Sequence, residues 1–290
     1  MKDSIYTTVT NQIIAELEKG SAPWVKPWKA NTSNLDHNLI TKKPYKGINR
    51  LILALSGARF TSRTWATYKQ IQEQGGQVRK GEKATQIVFF KPVTKETRDA
   101  NGAEKTESFA VMKSYSVFNL DQQDGIELTP PEIHGSEFED LHHVETFIAN
   151  CDVSLAHGTD GAYYIPSRDT VCMPDKVSFL SESHYYATLL HEMTHWTGHK
   201  SRLDRDLQKG KFGDHHYAME ELTAELGAAF LCQGLGVEGD LRHADYIGSW
   251  LKVLKADSSA IFKASALAQK AVDYLDGLQV ETQQLEALAA

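Results

Sequence analysis

Two histidines four residues apart in an apolar run constrain this chain more than any other feature. In TLLHEMTHWTG (188–198), His191 and His195 flank Glu192, Met193 and Thr194. On a helix, positions i and i+4 share one face, with β-carbons about 6 Å apart. The apolar neighbours turn that face toward a core. Buried imidazoles need partners, so a second element must bring complementary groups against this helix.

The spacing H-E-x-x-H lets two imidazoles reach one Zn²⁺ at about 2.0–2.1 Å each. Glu192, beside the first of them, can take a proton from a metal-bound water, the general-base role of this motif. A tetrahedral catalytic site also wants a third protein ligand and an open position. YAMEELTAELGAAFLCQGLG (217–236) offers Glu220, Glu221 and Glu225 beside an apolar stripe of Leu222, Leu226, Ala229 and Phe230. Carboxylates bordering a core need a partner, and the histidine pair is the natural one. Glu221 is expected as the third ligand and Glu225 as the group that orients a ligand imidazole; the spacing also admits the reverse. Glu220 reads as a solvated helix charge, and His199, His215 and His216 as polar loop or cap residues. Zn²⁺ is the expected metal, with Mn²⁺ as the alternative, since geometry and availability decide between them.

Charge divides the chain. Residues 1–130 carry 19 Lys and Arg against 13 Asp and Glu, and residues 131–290 carry 12 against 25, for a net charge of −7. A basic segment joined to an acidic one points to two jobs on one chain. The pattern predicts an α+β protein with a small α+β domain over 1–128 and a linker over 129–140. A mostly helical domain with a short antiparallel sheet follows over 141–290. Expected helices span about 4–19, Gly47 to Gly57, TSRTWATYKQIQEQGG (capped by Thr61 or Ser62), 181–198 and 216–234. QVRKGEKATQIVFFKPV reads as a basic hairpin, FAVMKSYSVFNLDQ as a strand, and AYYIPSRDTVCMP as two strands able to offer a peptide an edge. Cys151, Cys172 and Cys232 are too few and too scattered for a disulfide framework, so a cytoplasmic location is expected. The N-terminus lacks the apolar block of a secretion signal, and no run approaches the ~18 apolar residues of a membrane span.

The basic half also pairs aromatics with cations. Trp24, Trp28, Tyr45, Trp65 and Tyr68 stand in sequence near Lys43, Lys46, Arg50 and Lys69, and Arg79, Lys80 and Lys83 mark the basic hairpin. Unpaired bases stack on aromatic faces while Lys and Arg follow the phosphates. These residues form a basic, aromatic segment compatible with contacts to a single strand, although each Trp alone is more often core than stacking platform, whereas Phe89, Phe90, Val117 and Phe118 are expected in the core. No zinc finger, helix-turn-helix or RNP signature is present, so base-specific readout is not indicated.

HEMTHWTGH followed about twenty residues later by MEELTAELGAAFLC resembles a gluzincin-type, zincin-like metallopeptidase, in particular that of ArdC-like antirestriction proteins. APWVKPW, KPYKGINRLIL, TWATYKQIQEQGGQVRKGEKATQIVFF and SYSVFNLDQQDGI resemble the N-terminal domain of the same family, which also begins TraC-type primases. The resemblance implies single-stranded DNA binding without sequence preference and protection of plasmid DNA entering a recipient cell by conjugation. Its implied partners are that DNA, a protein substrate from a restriction system, and the conjugative transfer machinery. It also supports Glu221 as ligand ahead of Glu225. Priming activity is not implied, because the chain has no room for a primase domain.

Overall fold

The computed structural model describes residues 4–20, 22, 24, 35–57, 59–98, 104–127, 141–205, 214–237 and 244–289. The expected linker and Trp28 lie outside the described residues. In chain order the elements are α1 (Ile5–Leu17), β1 (His37–Asn38), α2 (Ile48–Gly57), β2 (Thr64–Ala66), α3 (Tyr68–Glu73), β3 (Gln77–Val78), β4 (Thr85–Arg98), β5 (Glu104–Asn119) and β6 (Gln123–Asp124). They continue with α4 (His142–Asn150), β7 (Ser154–His157), β8 (Tyr163–Ile165), β9 (Thr170–Met173), α5 (Glu182–Thr197), α6 (His215–Leu235), α7 (Ala244–Ala256) and α8 (Ala260–Ala289). No described helix is long and apolar enough to cross a membrane.

Two compact units divide the chain, one of residues 36–45 and 52–129, the other of 1–35, 46–51 and 130–290. α1 packs on α7, and its Val9, Ile13 and Leu17 are buried, so the first helix belongs with the helical unit.

The smaller unit is built on a sheet of order β1-β2-β5-β4, in which β1 and β2 are parallel and the other pairs antiparallel. Its core holds Tyr45, Leu53, Trp65, Ile87 and Val117, and a second cluster holds Ala66, Ile71, Val78 and Leu120. Trp65 is in a strand, not in a helix. The helix begins later because Thr67 and Gln70 form a reciprocal capping box, which fixes α3 at Tyr68. The basic segment is not one hairpin. β3 pairs with β6, and β4 pairs with β5 over a long antiparallel ribbon. Arg79 draws the segment toward 121–124, donating to the carbonyls of Asp121 and Gln123 and pairing with Asp124 at 3.1 Å. Phe89 and Phe90 are not core; they are 50% and 45% exposed.

In the helical unit, α5 and α6 lie against each other, with α8 packed on both and the three-stranded sheet β7-β9-β8 against α5. That sheet is mixed. β8 runs antiparallel to β9 as expected, whereas β7 is parallel to it. The three cysteines are free and buried.

Candidate metal centre

α5 starts at Ser181, whose hydroxyl accepts from the His184 amide, and α6 at Asp214, whose carboxylate accepts from the Tyr217 amide. Both are ordinary oxygen N-caps, and they set the register in which the two helices meet. The two helices pass close together at Gly227. A β-carbon there would overlap Thr194 Cγ2 and stand 2.7 Å from its Oγ1. Only glycine lets the backbones approach this far, and the approach carries the carboxylates of α6 to the imidazoles of α5.

His191 and His195 meet edge to face, with ring centroids 4.9 Å apart. Glu221 bridges them: one oxygen lies 3.6 Å from His191 Nε2 and the other 3.6 Å from His195 Nε2. The opposite ring nitrogens face other carboxylates. Glu225 is 3.5 Å from His191 Nδ1, and Glu220 is 3.0 Å from His195 Nδ1. His195 is thus held from behind by a hydrogen bond at Nδ1, His191 Nδ1 faces Glu225 at ion-pair distance, and both Nε2 atoms turn toward Glu221. One atom each of His191, His195 and Glu221 lie within 4.8 Å of one another. Ligands about 2.0–2.1 Å from a tetrahedral ion stand roughly 3.4 Å apart, a spacing that the two 3.6 Å contacts, made to different Glu221 oxygens, approach. Glu192 is 7% exposed beside His191.

Glu220 is not a solvated charge. Arg205, itself only 4% exposed, grips it with two nitrogens at 2.9 and 3.1 Å and also reaches the carbonyl of Thr194 and the hydroxyl of Thr197. A chain of charge-assisted bonds therefore runs Arg205–Glu220–His195. The sequence carried one signal for it, a third glutamate in the same helical turn, but nothing marked Arg205, which lies 15 residues upstream of Glu220.

Electrostatics agree with the geometry. Burial pushes the His191 pKa down, but hydrogen bonding to Glu221 and Glu225 and the charge of Glu192 outweigh it and raise the value to about 10. Burial and the Glu220 and Glu221 carboxylates act likewise on His195, raising it to about 9. Glu221 and Glu220 are shifted down: burial opposes ionisation, and the histidines, with Arg205 for Glu220, overcome it. In the absence of a cation the cluster holds its charge balance with protons. Tyr217, one turn before Glu221, bonds to Tyr246 at 3.0 Å, and burial first, then the Tyr246 bond and Glu221, raise its pKa. It stays a neutral donor beside the cluster, and sequence reading had missed it.

The expected DNA contacts are scattered by the fold. Trp65 is fully buried, its indole N–H donating to Asp36 at 2.8 Å, and Tyr45 packs against it in the same core. Trp24 is 4% exposed and meets Trp250 edge to face. Arg50 is 5% exposed and donates to the Phe230 carbonyl at 2.7 Å and to Gln233 at 3.1 Å, over the Phe230 ring. These four are structural: large rings and a desolvated guanidinium whose partners are protein groups offer no face to a base or phosphate. Lys46 pairs with Asp273, Lys69 with Glu73, and Arg79 with Asp124 and Glu82. Lys43, Lys80 and Lys83 are exposed, and Tyr68 is 42% exposed.

Residues 3–118 match the N-terminal domain of anti-restriction factor ArdC, and residues 142–267 match a zincin-like metallopeptidase. The protein y4eC of Sinorhizobium fredii is 40% identical over 99% of this chain and 96% of its own length. DNA primase TraC of Escherichia coli is 38% identical over 99% of this chain, which spans 28% of that protein. Crystal structures of antirestriction ArdC from plasmid R388 superpose on this chain, the metal-free form with a TM-score of 0.79 at 41% identity over 96% of this chain and 99% of that one. The Mn(II)-bound form gives 0.78 at 38% identity over 95% and 98%. Matched along nearly its whole length and in both halves, the chain belongs to the ArdC family of antirestriction proteins.

Proposed function

We propose that this protein protects incoming plasmid DNA by binding it as a single strand and by hydrolysing a peptide bond in a component of the restriction system. In this reading a Zn²⁺ or Mn²⁺ ion is held by His191 Nε2, His195 Nε2 and Glu221. The bound ion would supply Lewis acidity toward a carbonyl oxygen and lower the pKa of a water to about 7. Glu192 takes the proton from the attacking water and returns it to the leaving nitrogen. Glu225 and the Glu220–Arg205 pair hold the two imidazoles in the tautomer that leaves Nε2 free to ligate. Tyr217 donates to the developing oxyanion. An extended peptide adds along β8, an edge strand whose Tyr163 is 45% exposed.

The observation that carries this reading is that both Nε2 atoms converge on one carboxylate while both Nδ1 atoms are backed by others. The net basic first half supports the DNA part. Conjugation places that DNA, and the protein travelling with it, in the recipient cytoplasm. The test is plasmid transfer into a restricting recipient with wild type and Glu192→Ala, alongside metal content and oligonucleotide affinity. Loss of protection with metal and affinity intact supports hydrolysis. Full protection by Glu192→Ala would refute it and leave a DNA-shielding protein with a structural metal.

A further inference from the structure

Where the β4–β5 ribbon leaves the core it carries an aromatic pair with two lysines just beyond it. Ile87 and Val88 are adjacent, point to opposite faces and are each 2% exposed, whereas Phe89 and Phe90, the next two residues, are 50% and 45% exposed. The ribbon thus emerges from the fold within one residue step, carrying large rings into solvent on both faces. On one face the register sets Phe89 opposite Lys113 and Lys91 opposite Val111, with Tyr115 one pleat nearer the core. Phe89 and Tyr115 meet edge to face, with centroids 5.3 Å apart at 89°. With Phe90, these rings and the two lysines line an open concavity of ≈ 570 Å³. No carboxylate among the described residues pairs with Lys91 or Lys113.

We propose that this ribbon face is a stacking site for single-stranded DNA, with unpaired bases on Phe89 and Tyr115 and flanking phosphates on Lys91 and Lys113. The proposal rests on the DNA-binding part of the function above and moves its site from the tryptophans to the hairpin. An apolar concavity alone would suit many partners. Two ammonium groups with no carboxylate partner among the described residues, set one pleat beyond exposed ring faces, select a polyanion with flat apolar groups. On each strand the lysine follows the ring by two residues toward the ribbon tip, Lys91 after Phe89 on β4 and Lys113 beyond Tyr115 on β5, a step of about 6.7 Å, so base contacts lie nearer the core and phosphate contacts just outside them on the same surface. A second copy of this chain is the weaker occupant. β4 is the edge strand, Pro92 within it lacks a backbone donor for further pairing, and two copies would bring lysines together. Duplex DNA hides its base faces and satisfies only the lysines.

The test uses the full chain and a fluorescein-labelled 30-mer of oligo(dT), followed by anisotropy across a salt series. Phe89→Ala and Tyr115→Ala are expected to weaken binding about 5- to 150-fold each, while Phe89→Tyr retains it. Lys91→Gln with Lys113→Gln should lower the slope of log K against log salt by about 1.4, near 0.7 for each lost phosphate contact. A duplex competitor should lose little affinity from the ring substitutions. If wild type binds and the ring and lysine variants bind equally well with the same slope, the ribbon is not the site and the DNA reading stands without it. If wild type fails to bind the oligonucleotide in low salt, both fall. If the ring substitutions change the sedimentation of the protein but not its DNA affinity, the face is a self-interface and the proposal is overturned. Should a ring variant melt early, the lysine pair, whose substitution leaves packing intact, decides.

Discussion

A single methyl group at Gly227 should separate metal affinity from stability. In Gly227→Ala the new carbon overlaps Thr194 Cγ2 and stands 2.7 Å from Oγ1, against an ordinary contact of about 3.5–4.0 Å. Either α5 and α6 part by about 1 Å, or Thr194 gives up the bond its hydroxyl donates to the Leu190 carbonyl at 2.8 Å. Overpacking of this kind costs about 1–3 kcal/mol, and the higher helix propensity of alanine returns about 0.8–1.0 kcal/mol. The net is a loss of about 0–2 kcal/mol, or at most about 8 °C in Tm. The metal centre tolerates far less, because ligand distances are held to about ±0.2 Å and Glu221 rides on the displaced helix. Zn²⁺ affinity is therefore expected to fall at least 10- to 100-fold. The assays are thermal unfolding of the metal-free protein and competition against a chromophoric chelator. Thr194→Ala in the same chain leaves the new methyl 3.2 Å from the Thr194 β-carbon at closest, so the double variant should recover most of the affinity. Wild-type affinity in Gly227→Ala, or a double variant as weak as the single, would refute the idea that this close approach builds the site.

Glu220→Gln keeps the shape of the side chain but leaves the buried Arg205 guanidinium without its counter-charge. Zn²⁺ affinity should drop about 10- to 100-fold and unfolding free energy by about 3 kcal/mol or more, read by the same two assays. Trp65→Ala should cost about 3–5 kcal/mol of stability in chemical denaturation, while the folded fraction keeps its oligonucleotide affinity. Proton linkage has a defined sign. Metal-free His191 and His195, with pKa values raised to about 10 and about 9, are charged at pH 7.5 and must shed their protons to ligate. Zn²⁺ binding should release about two protons at pH 7.5 and tighten as pH rises, as calorimetry in buffers of different ionisation enthalpy would show. In the metal-free protein the same raised values stabilise the fold fully below the unfolded histidine pKa of about 6.5, and that stabilisation is lost as pH rises through 9 to 10.

What the sequence disclosed of this molecule follows from the range of the interactions involved. His191, His195, Glu221 and Glu225 were legible because helical periodicity puts each pair on one face and the chemistry of each face demands the other. Glu220 was misread because its partner Arg205 belongs to a segment with no periodicity of its own, so nothing local marks the carboxylate as buried. Trp65 and Arg50 were misread for a similar reason. Their hydrogen-bond acceptors are Asp36, 29 residues away, and Phe230, 180 residues away. Phe89 and Phe90 lie in a run as apolar as any core strand, and only the three-dimensional end of the core, one residue before them, makes them surface. β7 gave no local sign of its parallel pairing, which is fixed by the connection to β9 and not by the strand itself.

The central claim is one cation shared by two imidazoles and a carboxylate on neighbouring helices. Anomalous diffraction from Zn²⁺- or Mn²⁺-loaded crystals tests it most directly. A single peak is predicted about 2.0–2.2 Å from His191 Nε2, His195 Nε2 and a Glu221 oxygen. A peak bonded to the histidines but not to Glu221, or metal-loaded crystals with no peak between α5 and α6, would contradict it.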